Sequence, residues 1–161
     1  MELDHELTQS MRKQLTLHAF IAVLAGLLSG FLWLIILHGE LQFWPLPSIK
    51  ASVTDNRDLA DNAHTGPIMN GLLIMGVVAL SAYIKLSARL WKWVFWGALA
   101  MLYGNTIGYQ TALLAPNRGL QPVDGFWNIF TYFVFYIAVT GVLIVVPLCI
   151  FGAYRAIRDE A

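Results

Sequence analysis

The chain has 161 residues, of which 58% are hydrophobic and only 12% are charged. Soluble domains carry about 25% charged residues, so this composition indicates a membrane protein. The ten basic and ten acidic residues cancel, which leaves no net positive field to bind a nucleic-acid backbone. The single cysteine, Cys149, excludes a disulfide framework, a cysteine-rich zinc site and a c-type haem attachment motif within one chain.

Four apolar segments are each long enough to cross a bilayer as a helix, which takes roughly 20 residues. They cover residues 15–37, 66–86, 90–114 and 126–154. None alternates in the manner of a membrane strand, and a backbone in hydrocarbon has to satisfy its own hydrogen bonds. The sequence therefore predicts an all-α fold, with residues 1–161 forming a single domain, an integral membrane four-helix bundle.

The basic residues predict the orientation of these spans. Three of them, Lys50, Arg57 and Arg118, flank one side. Seven flank the other side: Arg12, Lys13, Lys85, Arg89, Lys92, Arg155 and Arg158. Cytoplasmic loops carry the excess of Lys and Arg, so we predict that both termini are cytoplasmic.

Two pairs of glycines occur at a spacing that lets helices approach closely. Gly26 and Gly30 lie in the first span, and Gly104 and Gly108 lie in the third. Such pairs serve either packing within one bundle or an interface between subunits. The sequence leaves both interpretations open.

The second predicted span begins within a polar segment that ends in Gly66 and Pro67. This pair is typical of a helix start. Thr65 or Asn62 supplies a side chain that can cap the first turn. We therefore predict that this helix begins at Gly66.

Polar side chains at membrane depth are expected to have a function or a partner. His64 lies at the predicted start of the second span, and Asn70 lies about one and a half turns further along. A neutral histidine ring can ligate a metal or a haem iron. It can also act as a general base or bond to the local backbone, and the sequence alone does not decide between these roles.

The third span carries Asn105 and Tyr109, which are four residues apart and so share a helix face. An amide and a phenol together can hold a substrate, or they can form hydrogen bonds between helices. Arg118, in the turn that follows, can bind a carboxylate such as a haem propionate or remain solvated. His18 and His38, near the two ends of the first span, are interpreted as interfacial residues.

Two of these motifs together resemble the styrene oxide isomerase family. The segment Ala63–Gly71 reads Ala-His-Thr-Gly-Pro-Ile-Met-Asn-Gly and is similar to the Ala-His-Ser-Gly-Pro-x-x-Asn-Gly stretch of that family. Asn105, Tyr109 and the following Pro116–Leu120 segment, Pro-Asn-Arg-Gly-Leu, resemble it as well. The size of the chain and its four-span layout agree with the family.

The resemblance implies a small membrane enzyme that forms homotrimers and binds haem b at its subunit interfaces through an axial histidine. By motif position, His64 is the ligand of the haem iron. Asn70 and Tyr109 are the catalytic residues that hold and orient the substrate. Asn105 and Arg118 are placed in the cofactor site. We expect a multi-pass protein of the bacterial inner (cytoplasmic) membrane.

The activity that the resemblance implies is the Meinwald rearrangement of hydrophobic aryl epoxides, such as styrene oxide, to carbonyl compounds. Ferric haem serves as the Lewis acid and needs no cosubstrate. The family pattern has an acidic residue in the third span, whereas this span has none and Met101 lies near the corresponding place. An aromatic wall around the substrate is expected from Tyr103, Tyr109, Phe95 and Trp96.

Two other functions stay open at this stage. One is a haem-binding membrane protein without this activity, such as a sensor or an electron carrier. Two axial ligands supplied by the protein would favour that function. The sequence offers one convincing intramembrane histidine, His64. A small-molecule transporter without a cofactor is the other alternative. In every case the expected surroundings are a lipid bilayer, with no nucleic acid.

Overall fold

The computed structural model describes residues 2–42, 44–50, 56–123 and 125–159. Most of this part is helical, as predicted. A 3-10 helix, Leu80–Tyr83, extends the second helix, and two short strands that were not predicted pair antiparallel after the first. The strands are β1, Glu40–Leu41, and β2, Ile49–Lys50; the helices are α1, Glu2–His38, α2, Arg57–Ala79, α3, Ala88–Ala112, and α4, Phe126–Arg158.

Three of the segments are long and apolar enough to cross a membrane, namely Thr8–His38, Arg57–Tyr83 and Phe126–Arg158. This is the pattern of a multi-pass membrane protein. The third predicted span forms a helix, α3, but is not among these three. No stretch of α3 is as apolar as the apolar stretches of the other three long helices. α3 is also the most buried of them, and an interior helix is shielded from lipid by its neighbours. Its buried residues are Trp91, Val94, Phe95, Gly97, Ala98, Met101, Leu102, Gly104, Gly108 and Ala112.

The helices pack as two antiparallel pairs joined through α3. α1 packs on α2, and α4 packs mainly on α3, which also contacts α1 and α2. Fully buried side chains fill the centre, among them Leu15, Ile74 and Met101. Large apolar side chains such as Phe20 and Leu143 cover the outer faces, as expected where a helix faces lipid.

Both glycine pairs serve packing within the chain. A Cβ at Gly26 would lie 2.7 Å from the His64 backbone oxygen on α2. A Cβ at Gly104 would lie 2.8 Å from Ala138 Cβ on α4. Gly30 and Gly108 likewise face α2 and α4, respectively. Of the two interpretations left open by the sequence, packing within the bundle is therefore confirmed for these glycines.

The predicted start of α2 was wrong. The helix begins at Arg57, and the Asn56 side chain caps it by accepting a hydrogen bond from Leu59 N at 3.2 Å. Thr65 instead donates its hydroxyl to the carbonyl of Asp61, inside the helix. The extra turns form because Leu59, Ala60 and Ala63 continue the buried face of the helix, so tertiary packing outweighs the local start signal at Gly66 and Pro67.

The segments that carry the larger group of basic residues meet at one end of the molecule. Arg12 donates to the carbonyl of Ser81 at 3.4 Å, and Lys85 lies 3.7 Å from the Asp159 carboxylate. The backbone N–H of Lys85 also donates to Gly152 at 3.0 Å. The start of α1, the turn between α2 and α3, and the end of α4 therefore share one side. That this side is cytoplasmic stays a prediction.

Candidate functional site around His64

His64 occupies a seat on α1 that is formed by Gly26, Gly30 and Trp33. Its Nδ1 lies 2.8 Å from the carbonyl oxygen of Gly26. The ring stacks on Trp33, with the ring centroids 5.8 Å apart and the planes 13° apart. A Cβ at Gly30 would lie 2.9 Å from two atoms of the ring. The glycine spacing on α1 therefore makes room for the imidazole.

The hydrogen bond to Gly26 settles which nitrogen of His64 carries the proton. A carbonyl oxygen only accepts, so Nδ1 must donate. In the neutral ring Nε2 then holds the lone pair, and the described part of the chain shows no hydrogen bond to it. The ring is half-buried. A histidine oriented through one nitrogen, with the other free, has the usual arrangement of a metal or haem ligand.

Tyr109 lies between α2 and α4, next to the helix turn that carries His64. Its ring covers Gly66, where a Cβ would overlap the ring. It also packs edge-to-face on Phe135, with centroids 5.3 Å apart. The hydroxyl forms no hydrogen bond with the residues that the structure describes. The phenol therefore has a fixed ring and a hydroxyl that is free to bind a ligand.

Asn70 and Asn105 lie at the same level as each other, one turn away from the contact between Gly66 and Tyr109. Asn70 follows Gly66 by one turn on α2, and Asn105 precedes Tyr109 by one turn on α3. Because α2 and α3 run antiparallel, one turn forward along α2 and one turn backward along α3 lead toward the same end of the bundle. The two asparagines therefore lie at a similar depth. Asn70 donates to the carbonyl of Gly66 at 3.0 Å, and Asn105 forms no side-chain hydrogen bond among the described residues.

Gln110 belongs to this region, although the sequence did not single it out. Its Nε2 donates to Ser29 Oγ on α1 at 2.6 Å and to the carbonyl of Ala63 on α2 at 3.0 Å. One amide on α3 therefore joins three helices beside His64. A signal for it was present, because an amide at membrane depth is expected to have a partner.

The turn that carries Arg118 is held by buried polar groups of α4. Arg118 has a left-handed backbone, with φ 64°, and its side chain is exposed. The side chain of Asn128 accepts a hydrogen bond from Asn117 N at 3.0 Å. Gly119 packs against Thr131 so closely that a Cβ would overlap it. The turn is therefore held in place by α4, whereas the guanidinium of Arg118 is exposed and open to a partner.

The predicted aromatic wall does not form around one point. Tyr109 contacts Phe135 near the end of α3. Phe95 and Trp96 contact each other edge-to-face with centroids 5.3 Å apart, and they lie about 20 Å from Tyr109 along the helix axis. Proximity in sequence was a poor guide here, because 14 residues span most of a membrane helix.

His18 is not the interfacial residue that was predicted. Its Nδ1 lies 2.6 Å from the hydroxyl of Tyr103, and the two rings meet edge-to-face. This contact joins α1 to α3 inside the bundle. His38, at the last turn of α1, is exposed as expected for an interfacial side chain. Tyr103 is thereby engaged away from His64, which removes it from the predicted aromatic wall.

Comparison with known proteins gives a family for this arrangement. The family model for styrene oxide isomerase matches residues 11–154, which is most of the chain. A search of curated proteins gives no match. The matched range includes His64 and its seat on α1, together with Asn70, Asn105, Tyr109 and Arg118. The chain therefore belongs to the styrene oxide isomerase family.

Proposed function

We propose that the chain isomerises aryl epoxides such as styrene oxide to aldehydes, with a haem b bound through His64. Membership of the family supports the reaction. The observation that carries the cofactor assignment is the hydrogen bond from His64 Nδ1 to Gly26, which leaves Nε2 free. Tyr109, Asn70 and Asn105 then supply the polar groups next to the ligand.

The residues around His64 fit a haem. A hydrogen bond from the far ring nitrogen to a backbone carbonyl fixes the orientation of a ligating histidine and raises its basicity. Trp33 covers one side of the imidazole, and the exposed Arg118 is suited to a propionate. When bound, ferric haem supplies a Lewis acid that polarises the epoxide C–O bond.

The chain's own residues position the substrate and exclude water. The Tyr109 hydroxyl can donate to the epoxide oxygen, and the amides of Asn70 and Asn105 can orient it. In the reaction the benzylic C–O bond breaks, a hydrogen migrates with its electron pair from the neighbouring carbon, and a carbonyl forms. Water at this point would give a diol instead. The rings of Tyr109 and Phe135 form a dry, electron-rich wall that favours positive charge at the benzylic carbon.

The separate positions of His18 and His64 argue against an electron carrier with two histidine ligands from a single chain. His18 is bonded to Tyr103. It lies eight residues before Gly26 on α1, which is about 12 Å along the axis. His64 is bonded to Gly26 itself, so the two imidazoles lie at different levels of α1. His64 alone would then hold the haem, which would supply the Lewis-acid chemistry that the isomerisation needs.

The proposal includes a homotrimer in the bacterial inner membrane, with the haem at the interface between subunits. His64 is half-buried within one chain, and α4 packs mainly on α3. The His64 side chain is therefore partly uncovered within one chain, and a neighbouring subunit can cover the open side of the site. Three helices that can cross a membrane support the location in a bilayer.

The test uses membranes that contain the chain, supplied with styrene oxide. We expect phenylacetaldehyde without the diol, measured by gas chromatography, and a Soret band in the purified protein. His64→Ala should lose both, while His38→Ala, a change at an exposed histidine on α1, should retain both. Aldehyde formation at the parent rate by His64→Ala would contradict the proposal.

A further inference from the structure

Pro67 releases a backbone carbonyl directly beside His64. It lies inside α2 and is buried, and it has no N–H to donate. In a regular helix the N–H of residue 67 would bond to the carbonyl of Ala63, four residues earlier. Gln110 fills this vacancy from α3, because its Nε2 donates to the Ala63 oxygen at 3.0 Å.

The same amide nitrogen also fixes α1. It donates to Ser29 Oγ at 2.6 Å, and the Ser29 hydroxyl donates to the carbonyl of Ala25 at 2.8 Å. The residues that follow Ala25 and Ala63 are Gly26 and His64, the two partners of the Nδ1 hydrogen bond. The Gln110 contacts therefore lie at the same level of both helices as the contact that orients His64.

We infer that Gln110 is a positioning residue for His64, and this inference rests on the ligand role proposed above. Gln110 sets the height of α1 relative to α2, and through that height it sets the distance from Nδ1 to Gly26. The bond is 2.8 Å long and is lost when the helices slide by about 1 Å. Gln110 acts through the two helices, with no hydrogen bond to the imidazole among the described residues.

The test replaces Gln110 with Met, which keeps the length of the side chain and removes both donated hydrogen bonds. Thr111→Val is the matched control. Thr111 is the next residue on α3, and its hydroxyl accepts from Thr131 on α4 at 2.8 Å. The control therefore also removes a hydrogen bond between helices, but one that does not reach α1 or α2.

Two readouts respond to the orientation of His64 rather than to general stability. In the haem-loaded protein, Gln110→Met should release haem about tenfold to a hundredfold faster and raise the haem reduction potential, because the axial imidazole becomes less basic. In the full chain without added haem, nitrogen NMR should show His64 protonated at Nδ1 in the parent and partly at Nε2 in Gln110→Met. Thr111→Val should match the parent in both measurements.

Removing Pro67 separates the two contacts of Gln110. Pro67→Ala supplies an N–H to the Ala63 carbonyl within α2 but restores no link to α1, so Gln110→Met should shift both readouts as far in that background as alone. Ser29→Ala, which removes one acceptor, should shift the readouts in the same direction and by less, and it tests the idea if Gln110→Met does not fold.

Three results would overturn the inference. They are an unchanged His64 tautomer in Gln110→Met, an equal change in Thr111→Val, and a parent-like His64 in the double variant of Gln110→Met with Pro67→Ala. A parent chain that binds no haem would instead refute the proposed function, and the NMR measurement would still decide the role of Gln110.

Discussion

A methyl group added at Gly30 tests how closely His64 is seated against α1. The new Cβ would lie 2.9 Å from both Cε1 and Nδ1 of the ring. Ordinary carbon contacts are about 3.5–4.0 Å, so the ring must withdraw by about 0.6 Å or more. Gly26 lies on the same face of α1. The same movement therefore lengthens the Nδ1 hydrogen bond from 2.8 Å to about 3.4 Å, beyond the usual range.

We expect Gly30→Ala to weaken haem binding while the fold persists. Loss of the orienting bond of a ligand lowers affinity about tenfold to a hundredfold, which is about 1.4–2.7 kcal/mol. The helix itself gains up to about 1 kcal/mol when alanine replaces an interior glycine. The three nearest atoms to the new Cβ all belong to the His64 side chain, so the ring can move instead of the backbone of α1.

The assay is the transfer of haem from the purified protein to apomyoglobin, followed in the Soret region. Gly76→Ala is the matched control, because a Cβ at that glycine meets nothing within 4 Å. It should release haem at the parent rate. If Gly30→Ala retains haem as long as Gly76→Ala does, His64 does not bind the iron from this seat, and the reasoning is refuted.

Three further predictions concern the substrate groups, the helix packing and the assembly. Tyr109→Phe should keep its haem and lose about tenfold to a hundredfold in aldehyde formation, since one hydrogen bond of about 1–3 kcal/mol disappears; turnover at the rate of the exposed control Tyr136→Phe would make the phenol a packing group. Gly104→Val should lower the unfolding temperature measured in detergent, because its Cβ would lie 2.9 Å from the backbone oxygen of Val134, and an unchanged temperature would contradict the tight contact of α3 with α4. Native mass spectrometry in mild detergent should give a trimer, and haem-loaded monomers alone would refute a site between subunits.

The helices were predictable from the sequence because lipid imposes a simple rule on length and composition. The same rule placed the start of α2 at Gly66, although the helix begins at Arg57. Residues 57–65 are polar enough to read as a loop, yet Leu59, Ala60 and Ala63 pack on the rest of the bundle and hold the turns before Pro67 in helix. Burial of this kind depends on neighbouring helices, which the local sequence does not encode.

The site residues that belong to a sequence motif were predictable, whereas the contacts that they make with other helices were not. The segment around His64 was recognisable, as were Asn70 and Tyr109. The seat of His64 depends on the register between α1 and α2, so Trp33 and the glycines of α1 could not be assigned to it. Gln110 does have a signal in the sequence, because a proline inside a membrane helix leaves a carbonyl that another helix has to satisfy.

The pairing of His18 with Tyr103 had no such signal. Distance along α1 placed His18 near a membrane surface, but its partner comes from α3, 85 positions later in the chain. Whether a polar side chain meets solvent or another helix depends on helix rotation, and α1 is apolar around most of its circumference. The aromatic wall failed for another reason, since Phe95 lies about 20 Å from Tyr109 along the axis of α3 and the two rings have different partners.

The proposed isomerisation depends above all on a haem bound by His64. The direct measurement is a titration of the purified full chain with haem b, recording at each point the haem bound and the initial rate of phenylacetaldehyde formation from styrene oxide. We expect the rate to rise in proportion to bound haem in the parent and to stay at the background in His64→Ala. Aldehyde formation that is independent of haem content, or a fully loaded parent that forms no aldehyde, would contradict the account.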